Sequence, residues 1–223
     1  MNILFYRYGS ICEPDIIASF KHLGFNITED TREVYNKQLL PSDCIKGLNE
    51  LLKQDTYSFI FSINFFPSVS DVCNIWGIPY LCLIVDSPVL ELFSTSLANP
   101  CNKVFLFDRQ LYNDFHHINP DGIFHIPLAT NVRDNYATAT MASAADRARF
   151  SSDISFIGSL YSEKCLYNKI TLPEKMRGYV DGLIEAQLLV YGYNFIEECV
   201  TPELIDSFTK ARPELTNFPS SMK

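Results

Sequence analysis

The stretch YSFIFSINFFPSVSDVCNIWGIPYLCLIVDSP, Tyr57 to Pro88, holds two apolar runs with a short helical pattern between them. Tyr57–Ile63 lacks the polar alternation of a half-solvated strand, so it reads as a strand buried on two faces, as parallel strands flanked by helices are, and Ile78–Val85 reads as a further strand. Ser68–Trp76 reads as a short helix stopped by Gly77. Strand, helix, strand over such a span implies a parallel pair joined by a crossover.

The same alternation extends in both directions. Toward the N-terminus, Asn2–Arg7 is a strand and Tyr8, Gly9 and Ser10 form a loop. A helix over Glu13–Leu23 follows, with Pro14 in its first turn, Ile16, Ile17, Phe20 and Leu23 on one face, and Gly24 as a left-handed stop. Phe25–Thr28 is a further strand, and Leu40–Lys53 a helix with Cys44, Ile45, Leu48, Leu51 and Leu52 as its buried stripe. Toward the C-terminus, Pro88–Leu97 reads as helical, and the strands Lys103–Phe107 and Ile123–Ile126 enclose a helix over Arg109–His117. The expected fold is α/β: a Rossmann-like, doubly wound parallel sheet over residues 1–131.

Residues 132–152 are rich in Ala, Thr, Ser and Arg and read as a connector. Residues 153–223 are expected to begin a second domain, mostly helical and incomplete. Its first element reads as a strand over Asp153–Ile157, turning at Gly158 and Ser159; helices are expected over Pro173–Tyr191 and Pro202–Lys210.

Composition narrows the function classes. A net charge of -8 over 223 residues, without a basic run, argues against nucleic-acid binding, which needs clustered Lys and Arg to neutralise phosphates. The seven cysteines are odd in number, widely spaced and without a CxxC pair, so neither a disulfide framework nor a zinc site is expected. His116, His117 and His125 lack a completing ligand set, so no metal is expected. No apolar run reaches the length of a bilayer span, and the N-terminus lacks the pattern of a signal peptide. A cytoplasmic protein is the expectation.

Ligands of open parallel sheets collect outside the carboxyl ends of the strands. Neither GxGxxG after the first strand nor GxxxxGK[ST] is present, which argues against a dinucleotide-dependent dehydrogenase or a P-loop enzyme. The loops worth inspecting are Tyr8–Ser10, Asn64–Ser68, Asp86–Pro88, Asp108 with Arg109, and Leu128–Asn131. Asp86 fits a general base or a grip on a sugar hydroxyl, and equally a helix N-cap. Glu13 can reach the cleft or simply favour the helix dipole. Asn64, beside Phe65 and Phe66, fits an amide with an aromatic platform, or a turn residue before Pro67. A phosphoacceptor receiver is disfavoured, because Arg7 and Tyr8 replace the acidic cluster and Asn64 replaces the acceptor aspartate.

Six segments, taken in order, carry a resemblance: YRYGSICEPDIIASFKHLGF (Tyr6–Phe25), VDSP (Val85–Pro88), FDR (Phe107–Arg109), HIPLATN (His125–Asn131), DISFIGSLYSEK (Asp153–Lys164) and RGYVDGLIEAQLLVYGYNF (Arg177–Phe195). Together they resemble CgeB-like glycosyltransferases, and more narrowly the N-terminal domain of such proteins. The resemblance implies a GT-B architecture, in which an N-terminal Rossmann-like domain holds the acceptor and a C-terminal one holds a nucleotide-diphosphate sugar, usually without metal. It implies that Tyr8, Gly9, Ser10, Asn64, Ser87, Arg109, Thr130 and Asn131 line the acceptor cleft. Asp86 is then the first choice for catalytic base, with Glu13 behind it, and Gly158, Ser159 and Tyr161 form the first donor-side loop.

Most of such a donor domain has no counterpart before Lys223. The expectation is therefore an acceptor-side half, inactive alone and without cofactor. A nucleotide-sugar donor is expected only for the complete enzyme, with a glycan or glycoprotein acceptor and the missing donor domain or a second chain as partners. The alternative is a non-catalytic saccharide- or protein-binding module on the same sheet.

Overall fold

The structure is a computed structural model that describes residues 1–37, 39–131, 137, 140–158, 165–169 and 171–211. The chain divides into two compact units, Met1–Ser143 and Ala144–Lys223, at a point inside the expected connector.

The first unit is a six-stranded sheet in the order β2-β1-β3-β4-β5-β6, formed by Asn2–Tyr6 (β1), Asn26–Asp30 (β2), Ile60–Ile63 (β3), Tyr80–Ile84 (β4), Asn102–Leu106 (β5) and Ile123–His125 (β6). All five pairings are parallel. The order reverses between β1 and β3. The chain first steps outward to β2, then returns past β1 and continues in the other direction.

This reversal determines the layers, because crossovers between parallel strands are right-handed and a change of direction changes the face on which the helix lies. Helix α1 (Glu13–His22) packs Ile16, Ile17 and Phe20 on one face, against Phe5, Phe61 and Ile63. Its neighbours in sequence, α2 (Arg32–Tyr35) and α3 (Pro41–Gln54), lead back toward β3. The opposite face is covered by Cys44, Leu48 and Leu52 of α3, Val69, Val72 and Cys73 of α4 (Pro67–Trp76), and Leu111 and Phe115 of α5 (Arg109–Phe115). Strand residues alternate between the two cores: Leu4, Ile60 and Tyr80 face α3 and α4, whereas Phe5, Phe61 and Leu81 face α1. Proline in the first turn of α1, α3 and α4 starts each helix where an amide hydrogen is dispensable, and Gly24 and Gly77 follow α1 and α4 with positive φ.

Two elements differ from the sequence expectation. Pro88–Leu97 is two separate 3₁₀ turns, Leu90–Phe93 and Thr95–Ala98, because Ser94 is extended and its side chain accepts the Ser96 amide, starting a new turn. Asp153–Ile157 forms no strand, and Ile154 and Ile157 are almost wholly exposed. The second unit is helical where described, with a 3₁₀ turn over Leu166–Lys169 and helices over Ala144–Phe150, Glu174–Leu188, Ile196–Cys199 and Pro202–Ala211. No helix among the described residues is long and apolar enough to cross a membrane.

Candidate functional site

The reversal between β1 and β3 separates the loops that leave these two strands, one turning to each face, and opens a crevice at their carboxyl ends. Tyr8, Asn64 and Asp86 meet there, just beyond β1, β3 and β4. Asn64 Nδ2 donates to Asp86 Oδ2 at 2.6 Å and to Tyr8 Oη at 3.0 Å, while Asn64 Oδ1 accepts the Val85 amide at 3.0 Å. The three side chains form one hydrogen-bonded row.

Asn64 has φ of 58°, the left-handed region that asparagine tolerates better than most side chains. A buried relay holds it there. The Phe66 amide donates to Tyr80 Oη at 3.0 Å, Tyr80 Oη and Ser62 Oγ are 2.6 Å apart, and Ser62 Oγ donates to the Asn64 carbonyl at 2.6 Å. Burial pushes the Tyr80 phenol well above the usual tyrosine range, so it stays a neutral donor. The asparagine reading as a turn residue and as a site amide are therefore compatible.

Aromatic rings border the row. Phe65 is buried in the core, whereas Phe66 is only partly buried, with its ring 4.9 Å from Tyr6 and 5.4 Å from Tyr8. Burial pushes the Tyr8 phenol up, against hydrogen bonding from Ser10 and with added repulsion from Asp86 and Glu13, so the residue offers an uncharged hydroxyl. Lys37 Nζ donates to the Tyr8 carbonyl and lies 5.7 Å from its ring centroid. Sequence gave no hint of Lys37, which comes from the loop after α2.

Asp86 is exposed and caps no helix, since the next turn begins only at Leu90. Its neighbour Ser87 donates to Asp108 Oδ2 at 2.7 Å. Asp108 is the cap: its Oδ1 accepts the amides of Gln110 at 2.7 Å and Leu111 at 3.2 Å. The Ser87 hydroxyl first, and the Leu111 amide with it, hold the Asp108 carboxyl below the usual aspartate range. An aspartate directly before a helical pattern was the signal available for it.

Glu13 stands at the first position of α1, where one of its two readings puts it. Its side chain is fully buried; Oε1 accepts the backbone amides of Tyr8 at 2.9 Å, Gly9 at 2.8 Å and Ser10 at 3.1 Å, and Oε2 accepts Arg7 Nε at 2.8 Å. Arg7 Nη1 reaches on to Glu29 at 2.5 Å. A carboxylate so engaged, with no exposed surface, is not open to a ligand. Glu13 organises the loop of Tyr8, Gly9 and Ser10, with Gly9 at φ of 91° turning its amide inward.

The remaining candidates are dispersed. Arg109 is exposed at the start of α5, beyond β5, about 10 Å from β3 at the usual strand spacing. Thr130 is exposed, and Asn131 Nδ2 donates to Asp15 Oδ1 of α1 at 2.9 Å. Residues 126–131 therefore lead from β6 back to α1. Gly158 of the second unit is exposed and lies against its own Phe156 ring; Ser159 and Tyr161 fall outside the described residues. His116 Nδ1 is 3.2 Å from the Ile123 carbonyl, and the rings of His116 and His125 pack on Tyr112, which accounts for both histidines. Among the described residues no group of three His, Cys, Asp or Glu side chains could hold a metal ion.

No protein-family model matches this chain, and no curated protein or solved structure does either.

Proposed function

We propose that the first unit is the acceptor-side domain of a GT-B-type glycosyltransferase, with the row of Tyr8, Asn64 and Asp86 as its acceptor site. The observation that carries this reading is the row itself, placed at the reversal of strand order beside the Phe66 ring. A carboxylate that accepts, an amide and a phenol that do both, and an adjacent aromatic face suit the hydroxyls and the apolar C–H face of a sugar. In an inverting transfer Asp86 takes the proton of the acceptor hydroxyl as that oxygen bonds to the anomeric carbon and the bond to the donor diphosphate breaks. Asn64 donates to one oxygen of Asp86, which orients the carboxylate for that step.

The exposure of Asp86 favours a second reading, a saccharide-binding module without catalysis, because a general base is commonly desolvated. Titration calorimetry of the full chain with neutral saccharides and with nucleotide sugars, run beside a transfer assay, separates the two. The glycosyltransferase reading expects the chain to bind saccharide in a way that Asn64→Ala abolishes, to bind nucleotide sugars weakly at most, and, when a donor-side domain is supplied, to support transfer that Asp86→Asn abolishes while binding and the unfolding midpoint are kept. Transfer at the normal rate by Asp86→Asn removes this residue from the chemistry. Saccharide binding with no transfer even when a donor-side domain is supplied supports the module.

A further inference from the structure

The loop between β1 and α1 has the form of an anion nest. The successive amides of Tyr8, Gly9 and Ser10 converge on one point, Gly9 is left-handed, and helix α1 starts directly behind them. In a sheet of this kind such a loop is where a ligand phosphate is received. Here the point of convergence is already taken, by Oε1 of a glutamate with no exposed surface, and Arg7 neutralises the same carboxylate from its other oxygen.

We infer that Glu13 is a built-in anion that fills the phosphate-receiving nest, and that the crevice therefore selects unphosphorylated hydroxylated ligands over their phosphorylated counterparts. This specificity rests on the saccharide reading of the row; the occupancy of the nest does not. What remains at the crevice supports it. Asp86 is a carboxylate, Tyr8 an uncharged phenol and Asn64 an amide already donating twice. The cations at the β1 loop are committed: Arg7 to Glu13 and Glu29, Lys37 to the Tyr8 carbonyl and ring. A phosphate brought to the β1 loop meets the Glu13 carboxylate where the three amides converge.

The inference differs from a merely structural role for Glu13 in one respect: removing the carboxylate should leave a hole that an external anion can occupy. With Glu13→Ala, three inward amides and one guanidinium lose their common partner. Inorganic phosphate or acetate then replaces it by mass action and stabilises the folded chain.

The test uses the full chain, with backbone amide resonances and the thermal unfolding midpoint as readouts. Inorganic phosphate should leave the amides of Tyr8, Gly9 and Ser10 unmoved in the wild type. In Glu13→Ala, phosphate and acetate should each shift those three amides saturably and raise the midpoint, an effect sodium chloride at equal ionic strength does not reproduce. Saturable phosphate shifts at Tyr8–Ser10 in the wild type overturn the inference, and so does a folded Glu13→Ala chain that neither anion affects. If Glu13→Ala does not fold, refolding in acetate or phosphate is the readout: recovery supports the built-in anion, and no recovery by either anion counts against it. Paired titrations with glucose, N-acetylglucosamine and their 6-phosphates complete the set. Weaker binding of the phosphorylated member is expected, and equal or tighter binding overturns the selectivity. Binding of neither member refutes the saccharide reading and leaves the nest to be judged by the phosphate and acetate arms.

Discussion

Asp108 shows how one side chain serves two neighbours. Its Oδ1 holds the first amides of α5 and its Oδ2 holds Ser87 at the edge of the crevice. Asp108→Ala should cost about 1 kcal/mol, the usual worth of a helix cap. Because the folded carboxyl lies below the usual aspartate range, this contribution is complete above the unfolded value of about 3.9 and is lost as the pH falls through the lower folded value. Urea unfolding of the wild type and Asp108→Ala across acidic pH should thus show a difference that shrinks toward low pH. A constant difference would mean that the charge is irrelevant. At this scale the sequence identified residue types well but not their partners. By sequence Glu13 reads as a dipole-favoured glutamate or a cleft acid, and only the folded loop brings three amides onto its carboxylate. Asp86 and Asp108 are both plausible caps by type. The position of the next helical turn separates them.

Among elements, α2 and α3 are joined by a contact that turns an ordinary rule around. Alanine normally stabilises a helix interior by about 1 kcal/mol over glycine. At Gly47 of α3, however, an added Cβ would stand 0.9 Å from Arg32 Nη1. Arg32 is not disposable: Nε donates to Asp30 Oδ1 at 2.8 Å, Nη2 reaches Oδ2, and Nη1 donates to the Asp43 carbonyl at 3.2 Å. Asp30 is only 3% exposed, so displacing the guanidinium strands a buried carboxylate. Gly47→Ala should therefore destabilise by about 1–3 kcal/mol in chemical denaturation. Much of that cost should vanish when Asp30→Asn is already present, since the two positions share one network. Helices α1, α3 and α4 were legible because proline starts and apolar periodicity are local signals. Pro88–Leu97 was not, because its apolar spacing is helical while Ser94 competes for the backbone. The segment 153–157 has the apolar content of a strand, yet a strand exists only where a neighbour supplies its ladder.

For the molecule as a whole, every fully buried apolar side chain among the described residues belongs to the first unit, from Ile3 to Ile123. Residues 1–143 should therefore fold as an isolated polypeptide with a cooperative thermal transition and the amide spectrum that this unit shows in the full chain. A non-cooperative transition, or an isolated chain with collapsed amide dispersion, would show that its core depends on the remainder. Residues 144–223 alone, in which no described side chain is fully buried, are expected to unfold without a sharp transition. The class of fold follows from local patterns: uninterrupted apolar strands are covered by helices on both faces, and helical crossovers between successive strands suit parallel pairing. Strand order and the site do not follow in the same way. Tyr8, Asn64 and Asp86 are separated by 56 and 22 positions, and they meet because the chain reverses its winding after β2 and brings β3 beside β1. Periodicity reports what each segment must bury and is silent on which segment lies next to it, so the crevice and its filled nest became visible only with the strands side by side.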